Sequence, residues 1–331
     1  MAESTELRER KNLPRTHVAS DEDRPPCAFT EGDYAIVRNL AFHRVLTVEQ
    51  LCFLEERGYK AVVARTKVLF HHGYIKKQYR GANLPDAFEL AERGALEVMR
   101  REGISEAAIG WVWNSKNREL KNPSIDHELG VANLILPLHL AAKQNPSELR
   151  FLNHMDLLDL AEDKVQRRRG NPFKVIGAVK HDGERRPVDK IPDGVCALQI
   201  NRERLMNFII EWDTGNPNVA PRSGASLLNP KRNYVVEKIA TYAYAFTRDN
   251  PYHKAAFNWE NVRVLMGTVA TGKDGRRRVE EMVRAAQEFV PDSNARRLFS
   301  FVDATTLREY RHDILSMPWV NGNGIEKRLF D

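Results

Sequence analysis

Apolar positions between residues 31 and 72 recur with helical spacing in three successive stripes. Thr47 stands at the N-cap position of the second stripe, and Gln50 completes a capping box three residues later. This pair of side chains satisfies backbone amides that a helix start leaves without partners. The pattern predicts three short helices, of which the second ends at Gly58 and the third spans residues 60–72.

After Gly73 the helical spacing of apolar residues ends, and apolar and polar residues alternate instead. Residues 74–79 alternate like an edge strand, and residues 88–90 predict a second strand. Three helices followed by a short hairpin form the order of a winged helix-turn-helix, and the segment 88–97 is similar to the strand-then-helix ending of bacterial winged-helix regulators. We therefore expect a winged-helix DNA-binding domain over residues 31–104.

In a winged helix-turn-helix, the second helix of the motif enters the major groove, where basic and small polar side chains meet phosphates and base edges. Residues of these types recur on the third predicted helix and on the hairpin. The candidate DNA contacts are Lys60, Arg65, Thr66, Lys67, Lys76, Lys77 and Arg80. A winged helix used for protein contacts is the alternative interpretation.

The rest of the chain mixes strand-like and helical runs. Residues 105–124 have the polar character of a connector, and a helix is expected from Ile125 onward. Beyond it the pattern predicts strands at 173–179, 191–200, 208–215, 262–269 and 298–302, and helices at 231–247 and 275–289. This order indicates an α/β domain with a mixed sheet, so that the whole chain is of the α+β type.

Composition further limits the classes of protein to which this chain can belong. Residues 1–30 are polar and proline-containing, which predicts a disordered arm. No apolar run approaches the roughly 18 residues of a membrane helix, and no signal peptide is apparent, so we expect a cytoplasmic protein without membrane contact. The 3 cysteines lie far apart, which argues against a disulfide framework or a zinc knuckle.

Charge indicates a polyanionic partner. The 331-residue chain carries 51 Lys and Arg against 45 Asp and Glu, a net charge of +6, and an excess of this sign favours nucleic acid. Basic clusters occur at residues 167–169, 180–186 and 276–278. Each cluster is equally compatible with a solvated surface and with a phosphate contact.

Four residues carry the candidate chemistry. Asp193 opens one strand-like run, Glu211 and Asp213 close the next, and Lys238 follows on a predicted helix. Hard divalent cations need convergent carboxylate oxygens, and a cation is useful beside the developing charge of a phosphodiester under attack. We expect the three acids to bind Mg²⁺, or Mn²⁺, with Lys238 as a catalytic cation. His127, near a helix start, is either a structural histidine or a further catalytic residue.

The arrangement resembles that of PD-(D/E)xK, restriction-endonuclease-like domains. Pro192-Asp193 and Glu211 match the first two elements, whereas Asp213 stands where that pattern has lysine. Three interpretations follow. Lys238 replaces the missing lysine from the helix, with Asp213 as a third metal ligand; or catalysis has been lost; or the match is a coincidence of turn and strand-end residues.

The order of motifs between about residues 31 and 320 resembles the replication-relaxation family of plasmids and mobile elements. The residues that carry this resemblance are His127, Asp193, Gly194, Glu211, Asp213, Lys238, Tyr242 and an arginine among Arg276, Arg277 and Arg278. The insertion at residues 216–231 is longer than the resemblance leads us to expect.

The resemblance implies a restriction-endonuclease-like domain over residues 125–331. It also implies a role in plasmid replication or mobilisation through DNA relaxation, with double-stranded DNA, a relaxase or another mobilisation protein, and a second copy of the chain as partners. The expected function is a DNA-binding protein with a metal-dependent nicking site. The alternative is an inactive accessory factor or transcriptional regulator that uses the nuclease-like fold as a scaffold.

Overall fold

A computed structural model of the chain separates into two compact units, Met1–Glu119 and Leu120–Asp331. It describes residues 17–81, 83–104, 122–161, 171–181, 184–216, 218–220, 234–247 and 251–331. Most of the predicted connector, the basic cluster at 167–169 and most of the insertion at 216–231 lie outside these residues. Within them, no helix combines the length and the apolar character that crossing a membrane requires.

In its described residues the first unit contains four α-helices, a short 3-10 helix (Asp21–Asp23) and a small sheet. Its elements are α1 (Glu31–His43), β1 (Val45–Thr47), α2 (Val48–Glu55), α3 (Tyr59–His71), β2 (Ile75–Gln78), β3 (Ala87–Leu90) and α4 (Glu92–Glu102). The three strands form an antiparallel sheet in the order β1-β3-β2. The three helices and the hairpin therefore occur where the pattern of apolar residues predicts them.

Local capping sets the start of α2. The Thr47 side chain accepts a hydrogen bond from the Gln50 amide, and the Gln50 side chain accepts one from the Thr47 amide, which confirms the capping box. The end of this helix differs from the prediction. It stops at Glu55, because Glu56 adopts a left-handed conformation, and Gly58 instead precedes α3.

Residues 17–30 differ from the predicted disordered arm, because they contact the first unit. The amide of Ala19 donates to His71 Nδ1 over 3.1 Å, and the His72 ring donates to the carbonyl of Pro25 over 2.7 Å. Phe29 stacks on Tyr74 with ring centroids 4.6 Å apart. A few well-placed contacts order this polar segment, although its composition offers little apolar surface to bury.

The second unit consists of a long mixed sheet with helices. Its elements are α5 (Asn122–Gln144), β4 (Leu149–Leu152), α6 (His154–Asp159), β5 (Val175–His181), β6 (Glu184–Lys190), β7 (Gly194–Ile200), β8 (Arg204–Asp213), α7 (Val235–Ala245), α8 (Tyr252–Phe257), β9 (Val262–Thr268), α9 (Gly272–Phe289), α10 (Ser293–Arg296), β10 (Phe299–Asp303), α11 (Ala304–Glu309), β11 (Trp319–Asn321) and β12 (Glu326–Lys327).

Seven of these strands form one sheet in the order β12-β11-β10-β9-β8-β7-β4. The β8-β9 and β9-β10 pairs are parallel, and the other four pairs are antiparallel. The mixed sheet confirms the predicted α/β class. β5 corresponds to the strand predicted at residues 173–179, whereas β6 was not predicted. Among the described residues these two strands pair with each other in a hairpin apart from the large sheet.

The indole of Trp212 fixes α5 against the sheet. A Cβ atom at Gly130 of α5 would lie 2.1 Å from the Trp212 Nε1, and one at Gly267 of β9 would lie 2.5 Å from the same ring. Glycine at both positions makes room for the indole. Side chains alternate across a strand, so Glu211 and Asp213 point away from the face of β8 that Trp212 occupies.

We predict that Gly130→Ala destabilises the second unit by about 1–3 kcal/mol, the usual cost of overpacking a core, even though alanine favours the helical state. Urea denaturation gives the free energy of unfolding. Trp212→Leu in the Gly130→Ala background should recover part of the loss, because the clash is with the indole. Strictly additive effects in this double-mutant cycle would contradict the proposed contact.

Candidate active site

Asp193 and Glu211 lie side by side at one end of the sheet. Gly194 of β7 pairs with Ile210 of β8 in an antiparallel ladder, so Asp193, directly before β7, lies opposite Glu211. The amide of Trp212 donates to Asp193 Oδ2 over 2.9 Å and holds this carboxylate in place. The two acids that the sequence analysis placed on neighbouring strands are thus adjacent in space.

Lys238 joins the two acids. Its ammonium group donates to Asp193 Oδ2 over 3.2 Å and to Glu211 Oε2. Tyr242, one helical turn later on α7, donates its hydroxyl to Glu211 Oε1. The Glu211 side chain is only 1% exposed, so these two donors replace the water that burial removes from its oxygens.

His127 contacts the same cluster from α5. Its Nε2 lies 3.2 Å from Asp193 Oδ2, and its Nδ1 lies 3.9 Å from Glu128 Oε1. Because α5 packs on the Trp212 face of the sheet and α7 reaches Glu211 on the other face, Asp193 receives a cation from each side. Asp193, Glu211, Lys238 and His127 together are called the carboxylate–lysine cluster below.

The environment pushes the two carboxyl pKa values apart. Burial raises the pKa of Glu211 to about 8, and the negative charge of Asp193 acts in the same direction against the weaker influence of Lys238. Burial also opposes ionisation of Asp193, but the charges of Lys238 and His127 prevail and hold its pKa well below the usual range. Neighbouring acids with separated pKa values are typical of sites that perform acid–base or metal chemistry.

The two cations are stabilised in return. Burial by itself lowers the pKa of Lys238, yet Glu211 and Asp193 raise it above its ordinary value. Burial likewise opposes the charged form of His127, but the neighbouring carboxylates of Asp193 and Glu128 raise its pKa to about 10. Both groups are therefore positively charged at neutral pH, and both can face an anionic substrate.

Asp213 lies outside the cluster, contrary to its predicted role as a metal ligand. Arg278 of α9 donates to both of its oxygens, over 2.8 and 2.9 Å, and the Thr268 hydroxyl donates over 2.9 Å. The carboxylate is almost fully buried in these contacts. Its closest charged partner is therefore Arg278, and no contact joins Asp213 to Lys238 among the described residues.

A cavity of about 170 Å³ opens onto the cluster. It is lined by His127, Glu211, Trp212, Asp213, Thr214, Tyr234, Val235, Lys238 and Met266. In the described residues, no group of three or more His, Cys, Asp or Glu side chains is placed to hold a metal ion. Mg²⁺ is commonly held by one or two carboxylates together with waters and substrate phosphate. The Asp193–Glu211 pair, which contacts the Lys238 ammonium group, fits that smaller ligand set.

In the first unit, two of the candidate DNA contacts on α3 are engaged internally. Arg65 forms a two-pronged ion pair with the buried Asp33, over 2.7 and 2.5 Å, and donates to the carbonyl of Ala28. Thr66 is buried and donates to the carbonyl of Val63. Arg65 and Thr66 therefore have structural roles here, in contrast to the prediction.

The remaining candidates lie at the surface. Lys60 and Lys67 of α3 are exposed. On the hairpin, Lys77 pairs with Asp86 over 2.7 Å, Lys76 lies 3.9 Å from Glu89, and Arg80 donates to the carbonyl of Pro85. These three hairpin cations are half-buried, and Glu89 is buried, so they are less accessible to phosphates than Lys60 and Lys67.

Two contributors to the site were not found from the sequence. Glu128 supports His127, and Thr268 supports Asp213. Glu128 directly follows His127, but adjacency says nothing about contact. Tyr242 did carry a readable signal, because it lies four residues after Lys238 and side chains at this spacing share a helix face.

We predict that His127 makes stability depend on pH in a defined window. Its pKa rises from an ordinary 6.5 to about 10 on folding, so its stabilisation is complete below pH 6.5 and is lost as pH rises through 10. His127→Gln should therefore lose most stability relative to wild type near pH 6, and the difference should shrink toward pH 10. Urea denaturation of both proteins across this range measures it, and a constant difference would contradict the assignment.

Comparison with known proteins places the chain in a family. The model of the replication-relaxation family matches residues 37–257, a range that contains α3 of the first unit and Asp193, Glu211 and Lys238 of the second. The search of curated proteins gave no match, and neither did the search of solved structures. Since the matched range spans more than half of the sequence, the chain belongs to the replication-relaxation family.

Proposed function

We propose that this protein binds duplex DNA during the replication of a plasmid or mobile element and nicks it in a metal-dependent reaction. The family assignment supports the role in replication. The observation that carries the proposed chemistry is the contact of Lys238 with both Asp193 and Glu211 at neighbouring strand ends. Two acids and a lysine that converge beside a cavity form the minimum set for hydrolysis of a phosphodiester.

In this proposal Asp193 and Glu211 would hold Mg²⁺ or Mn²⁺, and the bound ion would supply Lewis-acid chemistry for a phosphoryl oxygen and a water molecule. Lys238 stabilises the negative charge that develops on the phosphate, since it is charged and lies at the cavity wall. Tyr242 keeps Glu211 oriented through its hydrogen bond. His127 holds Asp193 from the opposite face of the sheet.

A specific observation favours a second candidate function. Both oxygens of Glu211 already have donors, in Lys238 and Tyr242, and position 213 carries an acid paired with Arg278 instead of a lysine. A cluster neutralised in this way also suits an inactive nuclease-like scaffold. In that case the protein is a DNA-binding accessory factor or transcriptional regulator.

For the first unit we propose a winged helix in which α3 faces the major groove. Lys60, Val63, Ala64 and Lys67 recur at helical spacing and are exposed, so they form one outward stripe of α3. The two lysines supply phosphate contacts, and the small side chains between them allow a close approach to the bases. The hairpin lysines lie where a wing meets the backbone of the duplex.

We predict that the purified protein nicks supercoiled plasmid with Mg²⁺ or Mn²⁺, and that a chelator abolishes the reaction. Asp193→Asn and Glu211→Gln should each lower the rate by roughly 100-fold or more, the scale of losing one electrostatic stabiliser. Duplex affinity should stay constant or rise slightly, because each change removes negative charge near a polyanion.

Asp189→Asn is the matched control for these variants. Asp189 precedes Asp193 by four residues and forms an exposed pair with Lys174, so its loss should leave nicking unchanged. Absence of nicking by wild type with either metal, on a plasmid that it binds, would overturn the enzymatic proposal and leave the accessory-factor function.

We predict that Lys60→Ala combined with Lys67→Ala weakens duplex binding. The salt slope, which is the steepness with which the logarithm of the binding constant falls with the logarithm of salt concentration, should decrease by about 1.8, since each phosphate contact contributes about 0.9. Fluorescence anisotropy of a labelled duplex at several salt concentrations measures both quantities. Lys327→Ala, which removes an exposed cation of the second unit, serves as control. An unchanged slope in the double variant would indicate that α3 contacts protein instead of DNA.

A further inference from the structure

A second cavity, of about 640 Å³, lies at the edge of the large sheet. Its walls come from the end of α5, from β4 and from the β7–β8 hairpin. It is lined by His139, Ala142, Lys143, Pro146, Ser147, Glu148, Leu149, Arg150, Phe151, Gln199 and Arg202. We call it the edge cavity.

The edge cavity carries an excess of positive charge. Lys143, Arg150 and Arg202 contribute three cations to its lining against a single acid, Glu148. Arg150 and Arg202 are both exposed, and within the part of the chain that the structure describes neither guanidinium has an ion-pair partner. Such a concave basic surface attracts phosphate groups and discriminates against cations.

Arg202 also occupies an unusual backbone position. It has a positive φ of 62° in the turn between β7 and β8, a conformation that favours glycine or asparagine. An arginine in this place therefore carries a conformational cost that a glycine would avoid. The turn itself does not require arginine at position 202, so the property of interest is the charged side chain that lines the edge cavity.

An aromatic pair completes the wall. The rings of His139 and Phe151 stack with centroids 4.5 Å apart and an interplanar angle of 12°. Both side chains are half-buried and line the cavity. An aromatic platform beside cations is the combination with which proteins bind single strands, because every unpaired base has a face that can stack.

The edge cavity is separate from the carboxylate–lysine cluster. His127 and His139 both lie on α5, 12 positions apart, which corresponds to roughly 18 Å at about 1.5 Å per residue. β7 runs the same way, from Gly194 beside Asp193 to Ile200, which pairs with Leu149 beside the cavity. One helix and one strand thus connect the two sites.

We propose that the edge cavity binds single-stranded DNA, with Arg150 and Arg202 on phosphates and the His139–Phe151 stack against an unpaired base. An aromatic wall favours single-stranded DNA over polyanions without rings, because only an unpaired base offers a face that can stack. The proposal does not depend on nicking, since the edge cavity contains none of the residues assigned to that reaction.

The test uses the full chain and fluorescein-labelled oligothymidylate in a chelator-containing buffer, with anisotropy recorded at several salt concentrations. Arg150→Ala combined with Arg202→Ala should weaken binding about tenfold and lower the salt slope by about 1.4, since each single-strand phosphate contributes about 0.7. Phe151→Leu, which keeps the apolar bulk, should weaken binding several-fold at an unchanged slope.

Arg308→Ala combined with Arg328→Ala is the charge-matched control, since both arginines are exposed elsewhere in the second unit. An equal loss in this control, an equal loss of duplex affinity in the Arg150/Arg202 variant, or no binding of oligothymidylate by wild type would overturn the proposal. Competition by polyglutamate as effective as that by oligothymidylate would assign the cavity to an acidic peptide and also overturn it. Loss of nicking alone bears only on the carboxylate–lysine cluster.

Discussion

The contact of the Lys238 ammonium group with both Asp193 and Glu211 is the interaction on which the candidate site of the second unit depends most. Two carboxylates at adjacent strand ends repel each other, and burial makes each charge costly. Lys238 offsets both effects from α7, and His127 adds a second positive charge from α5. The cluster therefore ties elements from both faces of the sheet to the ends of β7 and β8.

Strand β8 contributes side chains both to the packed core and to the candidate site. Trp212 fills the space that Gly130 and Gly267 leave open, whereas its neighbours Glu211 and Asp213 face α7 and α9. Because successive side chains of a strand alternate, a firmly packed indole fixes the direction of both acids. The same strand then separates their roles, since Glu211 joins Lys238 and Asp213 is held by Arg278.

The proposed sites of the second unit lie at opposite ends of α5. At the start of the helix, His127 contacts the carboxylate–lysine cluster, and at its end His139 lines the edge cavity. A nicked or unwound duplex offers both a phosphodiester and a single strand. The two proposed sites, about 20 Å apart along one seven-residue strand and one helix, together fit the proposed role on DNA.

Local patterns in the sequence determined the helices of the first unit, the capping box of Thr47 and Gln50, and strands β5, β7, β8, β9 and β10 of the second, because each depends on residues close together in the chain. Strands β4, β6, β11 and β12 and the order of strands in the sheet were not predicted. The local patterns also placed Asp193 and Glu211 together, since antiparallel neighbours meet at a shared sheet end. Only the tertiary structure decided that Asp213 pairs with Arg278, 65 residues away, and that Arg65 pairs with Asp33. A charged residue looks the same in the sequence whether it faces solvent or an ion-pair partner, and the fold alone supplies that partner.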